Sequence, residues 1–269
     1  MPSLVGSEMC IRDSYIITGM NLISALDAST CETLCTYNPE VYLSGPPINI
    51  IGYHSRGVAY WSDGEEERIL AGLNDGYLVS LDANTGLPDP DFNGGRVDLS
   101  VGIPRANRDS LDYLGAQPVS VVSPPIVIGD ILVTSQITQA RPLMRDRPPM
   151  WVRGFDIHTG QTVWTFHTIP LAGEFGVDTW EEESWRGTGN NGVWSMMSAD
   201  PELGLVYLPI EAPTDDFWGG NRPGDNLFSQ SIVAVDAQTG ERQWHFQMIH
   251  HGTVSYTHLR AHETRHDLV

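Results

Sequence analysis

A single turn, written four times into the chain, limits its fold more than any other feature. Ile232–Val235 is apolar and β-branched, Asp236-Ala237-Gln238-Thr239-Gly240 follows, and Gln243–Met248 leaves as a second extended run with Trp244 near its start. Asp and Thr side chains bond nearby backbone and Gly allows a positive φ, so the stretch reads as a β-hairpin of fixed turn chemistry. The same D-x-x-T-G pattern begins at Asp82 and Asp156, and a variant beginning at Asp27 carries Cys31 in the Gly position. Trp164 and Trp244 each follow the turn Gly by four residues, and Cys35 stands at that place in the first copy. The turn aspartates are 55, 74 and 80 residues apart. Each interval holds one blade of four short strands, roughly 40–50 residues, plus loops. Such a unit cannot bury its own hydrophobic face, so the repetition predicts an all-β chain built as a β-propeller.

The two ends are set apart from that pattern. Back-translated, Glu8–Ser14 is the reverse complement of a DNA run that, shifted in frame, encodes Val254-Ser255-Tyr256-Thr257-His258-Leu259. Both ends are therefore expected to be one sequencing-adapter element read from opposite strands, and 1–14 and 253–269 are excluded from fold reasoning as scars are. A partial propeller over 15–252 remains, with any signal or anchor expected before Tyr15. His258, His262 and His266 carry no metal role in this reading.

The net charge of −19 and a pI near 4.6 argue against nucleic acid and anionic membrane as partners, and the acidity reads as serving solubility alone. No run approaches the ~18 apolar residues of a membrane-spanning helix. Cys31 and Cys35, in a C-x-x-x-C spacing, read as incidental, and the redox compartment stays open.

Further hairpins are expected across Asn74-Asp75-Gly76 and across Gly129-Asp130, with strands at Val58–Trp61 and Leu205–Ile210. The stretches 37–53 and 87–113 read as irregular connections. Arg56 stands where a strand emerges from a loop, a place from which a guanidinium can clamp a carboxylate or simply face solvent. Trp180, Trp185 and Trp194 fall within fifteen residues among glycines. The first two suit packing between blades, and Trp194 suits a flat face under a planar ligand. Asp215, Asp216, Asp225 and Asn226 offer oxygen donors to a hard cation or simply make turns. The basic group Arg141, Arg145 and Arg147 reads as a solvated loop.

Taken together, H-S-R-G-V-A-Y-W (54–61), S-P-P-I-V-I-G-D (123–130), the V-R-G-F-D-I-H-T-G hairpin with Trp164, T-W-E-E-E-S-W (179–185), W-G-G-N-R-P-G-D-N (218–226) and H-H-G (250–252) resemble the quinoprotein dehydrogenases. The chain is most similar to their membrane-type glucose dehydrogenase branch. The resemblance implies about half of an eight-bladed propeller, a pyrroloquinoline quinone cofactor, Ca²⁺ or Mg²⁺, and a periplasmic location. It implies cofactor contact for Arg56, for Trp194 as the ring beneath the cofactor, and for Ser135 and Gln136, whose residue types differ from those of the relatives. It further implies hydride transfer from a sugar or alcohol hydroxyl to the quinone, with a metal as Lewis acid and an aspartate as base. Electrons would pass to a quinone or cytochrome acceptor. That aspartate lies in an H-H-x-x-W-D run, of which only His250-His251-Gly252 is present, so the chain by itself is expected to be inactive. Asn49-Ile50-Ile51 replaces the vicinal cysteines of the alcohol-oxidising relatives, and Tyr207–Ala212 lacks their calcium-binding Asn. Both departures favour a sugar or polyol substrate. The competing class is a non-catalytic propeller of the outer-membrane assembly type, which would need the turns and the tryptophans but not Arg56.

Overall fold

A computed structural model describes residues 13–46, 52–107, 118–138, 147–214 and 218–252. These form four antiparallel sheets in which every strand pairs with its sequence neighbour. The first sheet holds β1 (Asp13–Ile17), β2 (Ile23–Asp27) and β3 (Thr33–Tyr37). The second holds β4 (Ala59–Ser62), β5 (Glu67–Gly72), β6 (Tyr77–Asp82) and β7 (Arg96–Asp98). The third holds β8 (Ile126–Ile128), β9 (Ile131–Ser135), β10 (Val152–Asp156) and β11 (Thr162–Phe166). The fourth holds β12 (Ser198–Asp200), β13 (Leu205–Ile210), β14 (Ser231–Asp236) and β15 (Arg242–Gln247). The expected hairpins at Asn74-Asp75-Gly76 and Gly129-Asp130 are both present. Strand β7 lies in a stretch that reads as a connection and β12 in one given no element, and at three residues each they are too short to show an alternation.

All four repeated turns sit between the last two strands of their sheets. Asp82 Oδ1 accepts from the backbone N–H of Asn84 and Thr85 at 3.0 and 2.7 Å and from the Thr85 hydroxyl at 2.8 Å. Asp156 and Asp236 repeat the arrangement. At Asp27 the hydroxyl comes from Ser29 instead. Donation by Ser29, followed by that of Thr30, holds the Asp27 carboxyl below the ordinary range, at about 2. The fifth position is left-handed in every copy, with φ of 72, 68 and 71° at Gly86, Gly160 and Gly240 and 61° at Cys31. A Cβ costs about 1–2 kcal/mol in that region, against which Gly loses more chain entropy on folding. Replacing Cys31 by Gly should therefore raise the unfolding free energy by about 0.5–1 kcal/mol, read by denaturant titration. An unchanged or lowered stability would mean that Cys31 makes compensating contacts.

The turn glycines also set how the sheets stack. A Cβ on Gly86 would lie 2.8 Å from Cys35 Sγ, one on Gly160 2.8 Å from Val97, and one on Gly240 2.6 Å from the Trp164 ring. Each sheet thus lays its outermost segment against the turn of the next. Trp164 adds a hydrogen bond from Nε1 to the Ala237 carbonyl at 2.9 Å, and it lies over Gly154, where a Cβ would meet its ring at 2.3 Å. The apolar clusters fill the spaces between successive sheets, for example Val133, Val152, Trp164, Val206, Leu208 and Val233 between the third and fourth. The first strands also meet, β4 against β8 and β8 against β12. This is radial β repetition with the first strands innermost, as a propeller requires.

Candidate functional site

The meander decides which residues share an end. A chain entering a four-stranded meander begins strand one and finishes strand two at the same end, and it turns between strands three and four at the other. The four D-x-x-T-G turns therefore lie at one end of the sheets. Arg56, three residues before β4, and Trp194, four before β12, lie at the opposite end, as do Ser135, the last residue of β9, and Gln136 after it. The repeated turn builds the scaffold and is remote from the candidate chemistry.

Arg56 and Trp194 meet there. The Arg56 Cζ stands 4.5 Å from the centroid of the Trp194 ring, and Nη1 donates to the Trp194 carbonyl at 2.5 Å. The same Nη1 donates to Ser123 Oγ at 3.1 Å, and that hydroxyl donates to the Trp194 carbonyl at 2.5 Å. Ser123 stands three residues before β8, so the closed triangle draws one residue from the lead-in to each of three successive innermost strands. The Arg56 backbone N–H is anchored on the Val122 carbonyl at 2.9 Å. Arg56 is exposed, Trp194 is half-buried, and Arg56 Nε and Nη2 find no hydrogen-bond partner among the described residues.

Ser135 and Gln136 lie beneath this pair, both buried. The Ser135 hydroxyl accepts the Val193 N–H at 3.0 Å, one residue before Trp194. Gly192 lets the two segments close up, since a Cβ there would stand 2.5 Å from the Gln136 carbonyl and 2.9 Å from Ser135 Oγ. Gln136 Nε2 donates to the Leu99 carbonyl at 3.0 Å, which also accepts Arg153 Nη2. Burial lowers the Arg153 guanidinium to about 10, so it remains cationic at neutral pH. Sequence reasoning passed over both Ser123 and Arg153. Ser123 had a usable signal, its place three residues ahead of an innermost strand like that of Arg56. Arg153 had none, because an arginine inside a strand gives no sign of burial.

The other residues singled out fall elsewhere. Trp180 is buried and bonds the Leu227 carbonyl, and Trp185 is half-buried with Arg186 over its ring at 4.3 Å. Cys31 and Cys35 are both free. The 218–226 loop grips 250–252: Arg222 Nη2 donates to the Gly252 carbonyl at 2.6 Å, and His251 Nδ1 lies 2.8 Å from the Gly224 carbonyl. Asn226 Oδ1 accepts Arg222 Nη1 at 2.7 Å and so ties the loop internally. Among the described residues no three His, Cys, Asp or Glu side chains gather as a metal site. Asn49–Ile51, Arg141, Arg145, Asp215, Asp216 and the C-terminal histidines lie outside the described residues.

The site thus joins a π face to a guanidinium with unclaimed donors. That chemistry fits an anionic group such as a carboxylate, received by Nε and Nη2 beside the indole. The family model "PQQ: Glucose/ethanol/alcohol dehydrogenase, beta-propeller domain" matches residues 4–258. Quinoprotein glucose dehydrogenase of Escherichia coli is 28% identical over 250 residues, 88% of this chain and 30% of that protein. The glycerol dehydrogenase large subunit of Gluconobacter oxydans is 28% identical over 255 residues, 90% of this chain and 32% of that protein. The structure of quinohemoprotein alcohol dehydrogenase from Comamonas testosteroni superimposes with a TM-score of 0.69 at 22% identity, over 90% of this chain and 34% of that one. The chain spans about a third of the length of the relatives it matches.

Proposed function

This chain belongs to the family of PQQ-dependent glucose, ethanol and alcohol dehydrogenase β-propeller domains, and from that membership we propose that it forms part of the pyrroloquinoline quinone site of an enzyme oxidising a hydroxyl of a sugar or polyol. The observation that carries the reading is the exposed Arg56 guanidinium held over Trp194 with Nε and Nη2 unclaimed. The quinone would supply two-electron redox chemistry at this site. Arg56 would hold a carboxylate of the cofactor, and Trp194 would lie beneath its ring. Ser135, expected with Gln136 as a cofactor contact, supports the site by accepting the Val193 N–H, while Gln136 holds the Leu99 carbonyl. The relatives include glucose and glycerol dehydrogenases and, at comparable identity, quinohemoprotein alcohol dehydrogenases, so the preference for a sugar or polyol rests on the sequence departures at Asn49–Ile51 and Tyr207–Ala212. A quinone or cytochrome as electron acceptor, and a periplasmic setting, complete the proposal. The Ca²⁺ or Mg²⁺ expected with the quinone finds no group of three His, Cys, Asp or Glu side chains among the described residues.

Titration of pyrroloquinoline quinone into the protein, with and without Ca²⁺, tests the reading through tryptophan fluorescence. Saturable quenching is expected, and replacing Trp194 by Leu should remove most of the saturable component. Quenching that rises without saturation, or that is indifferent to Trp194, would sink it.

A further inference from the structure

Among the described residues, Ser123 is the side chain that bonds both principal members of the site. Its hydroxyl accepts Arg56 Nη1 at 3.1 Å and donates to the Trp194 carbonyl at 2.5 Å, so its single donor and one of its acceptor sites go to aligning the other two residues. It is itself buried, only 8% exposed, whereas Arg56 is exposed. A surface arginine left to itself samples many rotamers, and freezing one costs of the order of 1.5–2 kcal/mol. Here the guanidinium is pinned at one nitrogen by a buried hydroxyl and a carbonyl, with its Cζ 4.5 Å from the centre of an indole. The two donors left over are the ones that a carboxylate can use.

We propose that Ser123 is a positioning residue: its hydroxyl holds the Arg56 guanidinium on Trp194 and so presents Nε and Nη2, already ordered, to a carboxylate on an aromatic ligand. The inference rests on the quinone-binding reading for the identity of that ligand, but not for the alignment itself. Pre-ordering a flexible donor lowers the cost of binding, so the hydroxyl matters to affinity without touching the ligand. Ser123→Ala removes the bridge and leaves the Trp194 carbonyl with Arg56 as its sole side-chain donor. Ser123→Thr keeps the hydroxyl and restores the bridge.

Two readouts separate the inference from the reading beneath it. The first needs no ligand. The Nε–H resonance of Arg56, identified by its loss in Arg56→Lys, is expected to lie upfield of free arginine in the wild-type chain, because the guanidinium sits over the indole. In Ser123→Ala it should return towards the free position, and in Ser123→Thr it should stay upfield. The second is the Kd for pyrroloquinoline quinone, expected to weaken about tenfold in Ser123→Ala and to recover in Ser123→Thr. An Arg56 signal in Ser123→Ala identical to wild type would overturn the positioning role. So would a quinone affinity unchanged by Ser123→Ala when the wild-type chain binds. If the wild-type chain binds no quinone while the Arg56 signal moves as expected, the quinone reading fails and the alignment by Ser123 stands. Should Ser123→Ala unfold, as far-UV circular dichroism would reveal, Ser123→Cys keeps the volume with a weak donor and carries the same expectations.

Discussion

Trp164→Ala should lower the unfolding free energy by about 3–5 kcal/mol, the range for deleting a large buried aromatic. The ring is 6% exposed, fills the space between the third and fourth sheets, and bonds the Ala237 carbonyl through Nε1. Gly154 and Gly240 both lack the Cβ that its presence forbids, so the site cannot collapse onto the gap without moving two backbones. Denaturant titration of the variant measures the effect. Trp244 provides the internal control. It occupies the same place in its repeat, four residues after the turn Gly, yet it is 44% exposed. Its truncation should cost less than about 1 kcal/mol, as surface substitutions do. Equal losses at the two positions would show that the stacking of Trp164 on the next turn contributes nothing particular.

Arg56→Ala should weaken pyrroloquinoline quinone binding roughly 10- to 100-fold, the consequence of losing hydrogen bonds to a charged group worth about 1.5–3 kcal/mol. The exposed setting of Arg56 places the effect in that range and not in the larger one of a fully buried pair. Arg56→Lys should recover only part of the loss, because an ammonium keeps the charge but neither the planar stack on Trp194 nor the paired donors. Tryptophan quenching by the quinone reads both variants. Arginine and alanine chains with equal affinity would remove Arg56 from the site. Lysine and arginine chains with equal affinity would mean that charge alone is recognised.

Much of the scaffold was legible because its determinants are local. A turn that needs Asp, Thr and a left-handed fifth residue writes those needs in five consecutive positions, and the repetition then excludes any fold without repeated sheets. The outer strand β7 and the inner strand β12 were not legible, since three residues carry no periodicity and only pairing with a neighbour makes them strands. Of the candidate site, Arg56 and Trp194 were visible as residue types in suggestive places. Their contact was not, because 138 residues separate them.

The sequence by itself determined the repeating hairpin, the all-β class and the resemblance to the quinoprotein dehydrogenases, because each rests on residues a few positions apart. Tertiary structure alone decided that Trp164 is buried, since burial depends on another sheet lying against the face. It also decided that Arg56, Ser123 and Trp194 form one unit. Each stands just ahead of an innermost strand, and only the radial stacking of three sheets brings those lead-ins within hydrogen-bonding distance at the end opposite the repeated turns.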